Sequence, residues 1–196
     1  MHTSCSLGYT LVELMFVTAL MLTVAGASVP QALITLDAVR AAGAARHISA
    51  RLQRVRMEAI ARSTPVAMQF TAAAGRYTYA VYVDGNRNGV LSRDIRDGID
   101  RRIGAVESVG DSFAGVDFGA SPDLPPVDPG GEAPGADPIR LGASNLLTFT
   151  ALGTSSTGSL YLRGRRGEQY VIRIFGATGK TRVLKFDVHS QQWKPL

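Results

Sequence analysis

The sequence predicts an α+β chain, in which one long N-terminal helix, with a membrane half and an amphipathic half, packs on an antiparallel β-sheet head. Three observations predict it. The run from Tyr9 to Leu36 carries one formal charge, Glu13, among mostly apolar residues. The apolar pattern then turns periodic, with Ile48, Leu52, Val55 and Ala59 spaced i, i+4, i+7 and i+11 and Ile60 widening the stripe. Beyond Pro65, short runs rich in aromatic and β-branched residues alternate with Gly, Pro, Asn and Asp.

A polar stretch, residues 1–8, precedes the apolar run. A secretory signal would end in a small-residue cleavage site after its apolar core, whereas here Gly8 comes before it. Residues 9–36 as a helix would be about 42 Å long, enough to cross a hydrocarbon core of about 30 Å. A carboxylate in that setting costs about 3 kcal/mol or more and is expected only where it finds a partner.

Residues 37–63 should continue the helix as an amphipathic segment, with Arg46, Arg51, Arg54, Arg56 and Arg62 mostly off the apolar stripe. The Ala-rich stretch around Gly43 reads as a soft point. Pro65 disfavours helix in the residue before it and so ends the segment near Ser63. Residues 64–196 form the head, with strands expected at 66–70, 76–83, 146–150, 158–162, 170–175 and 182–188. The Pro/Gly/Asp-rich stretch at about 120–139 reads as a loop without regular structure.

Composition sets the remaining bounds. Of 196 residues, 45% are hydrophobic and 19% charged, which is the balance of a folded chain. The net charge of +5 is uneven: residues 1–74 carry six basic and three acidic groups, 75–139 six and eleven, and 140–196 nine and two. A basic C-terminal quarter either attracts phosphate or anionic lipid or is a solvated surface. The single cysteine, Cys5, allows no intrachain disulfide.

Gly8-Tyr9-Thr10-Leu11-Val12-Glu13-Leu14 resembles the class III signal of type IV pilins and type II secretion pseudopilins: a Gly, an aromatic residue, then T-L-x-E-L. The resemblance implies cleavage after Gly8 by a prepilin peptidase and N-methylation of the new N-terminus, Tyr9. It also implies an assembly role for Glu13, which would meet the terminal amine of a neighbouring subunit, and for Pro30, at the position of the pilin helix-kinking proline. One departure is that family leaders carry Lys or Arg before the Gly, whereas this one has only His2 as a chargeable group. In the head, Ala59-Ile60-Ala61-Arg62, Leu147 to Thr154 with Gly158 to Leu162, and a late Gly-basic-x-Arg element are similar to the GspH/FimT branch. That resemblance implies a type IV pilin-like fold and a minor pseudopilin or minor pilin, a structural subunit placed near the filament tip. Its implied partners are other pilins, the prepilin peptidase, an inner-membrane assembly platform and membrane lipid. The implied location is the bacterial inner membrane, single-pass, with the head in the periplasm until assembly.

Two further constellations stand out. Asp84-Gly85-Asn86-Arg87-Asn88-Gly89 presents oxygens at alternate positions and Gly at the sixth, like the start of a calcium loop. Asp84, Asn86, Asn88 and Asp94 are its candidate ligands, although Ile95 holds the place of the bidentate carboxylate; the alternative is an Asn/Gly turn between strands. Arg163, Arg165, Arg166, Lys180 and Arg182 form the second group. Similarity to DNA-uptake minor pilins, which carry a C-terminal G-R-x-R element, implies DNA as an alternative partner. Lys180 stands in place of the first Arg of that element and lacks its planar fork; the other reading is solvated hairpin ends. No H-x-x-x-H, G-x-S-x-G or P-loop pattern occurs, and the sequence therefore reads as a non-enzyme, with no cofactor apart from the candidate calcium.

Overall fold

The computed structural model describes residues 8–73 and 75–196, with residue 30 described by its backbone alone. The expectations on 1–7 and on the side chain of Pro30 fall outside the described residues. Two compact units divide the chain at Leu36 and Asp37.

The first unit holds the start of α1 (Leu11–Arg62). Thr10 opens the helix: its Oγ1 accepts the N–H of Glu13 at 3.2 Å, and its carbonyl accepts that of Leu14. Every described side chain from Tyr9 to Leu36 is exposed. The hydroxyls of Thr18, Thr23, Ser28 and Thr35 each donate to a carbonyl four residues back, at 2.8–3.0 Å. Folding these polar groups onto the backbone leaves an apolar exterior, as a lipid-facing helix requires. By length and composition this helix can cross a membrane.

The second unit begins at Asp37 and contains the rest of α1. Ala41, Ala44, Ala45, Ile48, Leu52, Val55 and Ala59 are buried along one face, so the periodic stripe is the core face. Ile60 is a correction: it lies at the stripe's rim, 37% exposed. Gly43 is no break either. It lies inside the continuous helix, where an added Cβ would stand 3.0 Å from the ring of Phe113, so its absent side chain serves close packing.

Beyond the helix the chain forms β1 (Val66–Ala73), β2 (Arg76–Val83), α2 (Ser92–Arg96), β3 (Arg101–Ser108), α3 (Val109–Ser112), β4 (Asp117–Phe118) and β5 (Ile139–Arg140). It continues through β6 (Leu146–Phe149), β7 (Gly158–Arg163), β8 (Gln169–Phe175), β9 (Lys180–Asp187) and β10 (Gln192–Pro195). The expected single sheet is two, both antiparallel. One runs β3-β2-β1-β6; the other runs β10-β9-β8-β7-β4, with β5 also paired to β7. The break falls at Thr150 to Thr154, where Gly153 at φ +79° turns the chain out of β6.

Both sheets share one core with the helix. Val66, Met68 and Phe70 alternate inward from β1, and Leu160, Leu162, Tyr170, Ile172 and Ile174 do so from β7 and β8. The opposite face of the second sheet carries Tyr161, Val171 and Leu184, which pack with Leu124 of the Pro/Gly-rich loop. That loop has little regular structure, yet it is anchored: Trp193 Nε1 donates to the Pro125 carbonyl at 3.0 Å, and Gln169 Nε2 to Ser121 Oγ at 3.3 Å.

Candidate functional site

The assembly segment combines an exposed apolar surface with one charge. Tyr9 is 80% exposed and Glu13 is also exposed, in the first turn of α1. Thr10-Leu11-Val12-Glu13 is the T-x-x-E pattern of a capping box, and one of its two bonds, Thr10 Oγ1 to the Glu13 N–H, is formed. T-x-x-E before an apolar run is a signal by which the helix start could have been found in the sequence. Glu13 thus has a local reason to stand in the first turn, where the helix dipole favours an anion. Its carboxylate is nevertheless free to meet a partner outside the chain, since the described residues offer it no cation.

The five candidate DNA-contacting cations do not come together. Arg163 ends β7 opposite Gln169, and Arg165 and Arg166 follow in the β7–β8 turn. Lys180 starts β9 opposite Phe175, at the other end of β8, with Arg182 two residues on. At about 3.4 Å per residue, the length of β8 separates the two groups by about 20 Å. Arg166 is engaged within the head, its Nε 3.0 Å from Asp37 Oδ2.

The Gly179-Lys180-Thr181-Arg182 element does other work, as the place where α1 docks on the β8–β9 turn. Ser49 Oγ lies 2.8 Å from Thr181 Oγ1, and Gln53 Nε2 donates to the Gly179 carbonyl at 3.2 Å. Arg56 Nε donates to the Gly153 carbonyl at 2.9 Å, spanning to the neighbouring turn. Gly179 has φ +62°, and an added Cβ would stand 2.2 Å from the Gly153 oxygen. Only glycine fits there. These polar helix residues lie off the apolar stripe, so periodicity alone does not single them out.

The 84–100 loop is held by its own donors. Asp84 accepts the backbone N–H groups of Asn86, Arg87 and Gly89 at 2.7–3.0 Å, and Asp100 accepts those of Gly85 and Leu91. Asp94 accepts the side-chain amides of Asn88 at 2.8 Å and Asn86 at 3.1 Å, which hold its carboxyl below the usual carboxylate range. Asp84, Asp94 and Asp100 are all buried. The oxygen-rich set is of the type calcium takes, but as arranged Asn86 and Asn88 turn N–H donors toward Asp94, and a cation would have to displace these bonds. Among the described residues no group of three or more His, Cys, Asp or Glu is gathered to hold a metal.

A long apolar helix whose second half forms the spine of an antiparallel head is the build of a pilin-like subunit. The chain belongs to the type II transport protein GspH family, whose model matches residues 44–178, from the amphipathic half of α1 to the β8–β9 turn. No curated protein and no solved structure matches it. The family is one of minor pseudopilins, structural subunits and not enzymes, which associate with other pseudopilins in a filament.

Proposed function

We propose that this chain is a minor pseudopilin of a type II secretion pseudopilus, cut after Gly8, methylated at Tyr9 and held in the inner membrane by residues 9–36, with its head in the periplasm. The observation that carries the reading is the exposed, mostly apolar stretch from Tyr9 to Leu36, in which Glu13 is the one formal charge. Such a surface needs lipid before assembly and other helices after it. In the filament Glu13 pairs with the amine of a neighbour's Tyr9, which offsets the burial of both charges and fixes axial register. The low-copy place near the tip and the dependence on a prepilin peptidase and an assembly platform follow from the same reading. DNA uptake has less support, because its five cations lie at opposite ends of the second sheet.

Sheared filament fractions from cells carrying the full-length chain provide the test. Glu13→Gln should remove the chain from that fraction while leaving its membrane level unchanged. Equal incorporation of the parent and Glu13→Gln chains would reject the role given to Glu13.

A further inference from the structure

The outer face of the second sheet carries a row of cations that crosses its strands. Arg140 on β5 lies opposite Ser159 on β7, Ser159 opposite Arg173 on β8, and Arg173 opposite Arg182 on β9. Cross-strand partners share a face, so the three arginines and the serine lie on one line about 14 Å long, at about 4.8 Å per strand. The helix-facing side at these positions belongs to Ile139, Leu160, Ile172 and Val183, which places the row on the side away from the core helix.

Two of the three arginines are already met by carboxylates, both from the Pro/Gly-rich loop. Asp128 pairs with Arg173 at 2.5 Å and Glu132 with Arg140 at 2.8 Å. Between them lies a cavity of about 300 Å³ lined by Asp128, Glu132, Arg140, Ser159 and Arg173. Arg173 Nη1 donates to the Gly158 carbonyl at 3.0 Å and to Ser159 Oγ at 3.4 Å, which fixes the guanidinium, while its buried Nε has no partner. Arg182 is exposed and forms no ion pair among the described residues.

We propose that Arg140, Arg173 and Arg182 form a binding site for an acidic peptide segment, and that Asp128 and Glu132 of the loop occupy it as an internal stand-in. The chemistry of the occupant follows from what is there now. Side-chain carboxylates four residues apart reach the guanidiniums, whose planar forks match them. Arg173 is recessed, its side chain 20% exposed, which suits a carboxylate on a slender chain better than the backbone of a duplex. Glu132 is 87% exposed, so its pairing with Arg140 is screened by solvent and readily exchanged. Asp128 and Glu132 flank a turn through Pro129, Gly130 and Gly131, closed by the Gly131 N–H on the Asp128 carbonyl at 3.0 Å, and the two glycines widen the backbone conformations open to it. The site stands apart from the filament reading, since none of its residues lies in the assembly segment.

The test is fluorescence anisotropy of a fluorescein-labelled poly-glutamate peptide with the full chain in detergent micelles at low salt. Asp128→Asn combined with Glu132→Gln should tighten binding about tenfold over the parent, by clearing two arginines. Adding Arg140→Gln and Arg182→Gln to that variant should abolish the gain. Circular dichroism checks that each variant is folded, and Arg173, which bonds the backbone, is left unchanged. No gain on clearing the loop, or a gain that survives loss of Arg140 and Arg182, overturns the proposal. Tighter binding of a single-stranded oligonucleotide of equal charge overturns the peptide assignment.

Discussion

The register pair proposed for Glu13 and a simple first-turn role at the helix start are separated by substitution. Gln keeps the hydrogen-bonding shape that a capping box uses but removes the charge, whereas Ala removes both. If register depends on the ion pair, Glu13→Gln and Glu13→Ala should both reduce incorporation into sheared filaments by about tenfold or more. If the first turn is what matters, Glu13→Gln should assemble normally. At Gly179, Ala would meet the Gly153 oxygen in a left-handed backbone, and thermal unfolding should show a loss of about 1–3 kcal/mol. Asp94 sets an acid limit. Its folded pKa is lowered, by the amides of Asn88 and Asn86 first, so the stability it contributes is present above the unfolded value of 3.8 and is lost as pH falls through the folded value. Asp94→Asn should therefore unfold at a lower temperature than the parent at pH 7, with the gap closing as pH falls below about 4. A gap of constant size would contradict this. Glu13 was legible in the sequence because a charge in an apolar run is conspicuous. The Gly179 contact was not, because it depends on a turn brought from 26 residues earlier in the chain.

Among the elements, those with strong periodicity were readable and those at edges were not. β2 was expected at 76–83 and is found there, rich in Tyr and Val. β3 was not expected: Arg101, Arg102 and Gly104 break any alternation, and its register slips against β2 between Tyr79 and Val81, with Gly104 at φ +78°. β4 and β5 have two residues each, too short for a period to show. The composition of the loop at about 120–139 hid the buried anchor Leu124, 3% exposed against Tyr161, Val171 and Leu184. Leu124→Ala should therefore cost about 2 kcal/mol or more in chemical denaturation, far above the value for a free loop residue. The 84–100 loop gives a second test at this scale. Its carboxylates are satisfied by N–H donors, so millimolar calcium should leave the melting temperature unchanged relative to chelator. An increase of several degrees would show that the Asn side chains turn their oxygens inward to a bound ion.

For the whole molecule, the family match and the assembly signal cover different parts of the chain. Residues 44–178 identify the GspH family, while Gly8 to Glu13, the expected processing and register residues, lie outside the match. The two compact units divide in the same sense, with a segment of exposed apolar side chains to Leu36 and a folded head from Asp37. The α+β class was legible because a continuous apolar run, a helical stripe and alternating strands leave distinct periods. That the head holds two sheets was not, because the separation depends on one turn at Gly153. The proposed function depends on the chain being processed and built into a filament through its N-terminal segment. The most direct test is the intact mass of the protein purified from its native membrane. A chain that begins at N-methylated Tyr9 is the predicted result. A chain that still carries residues 1–8, in cells with an active prepilin peptidase, would contradict the account and leave an anchored head with no part in a filament.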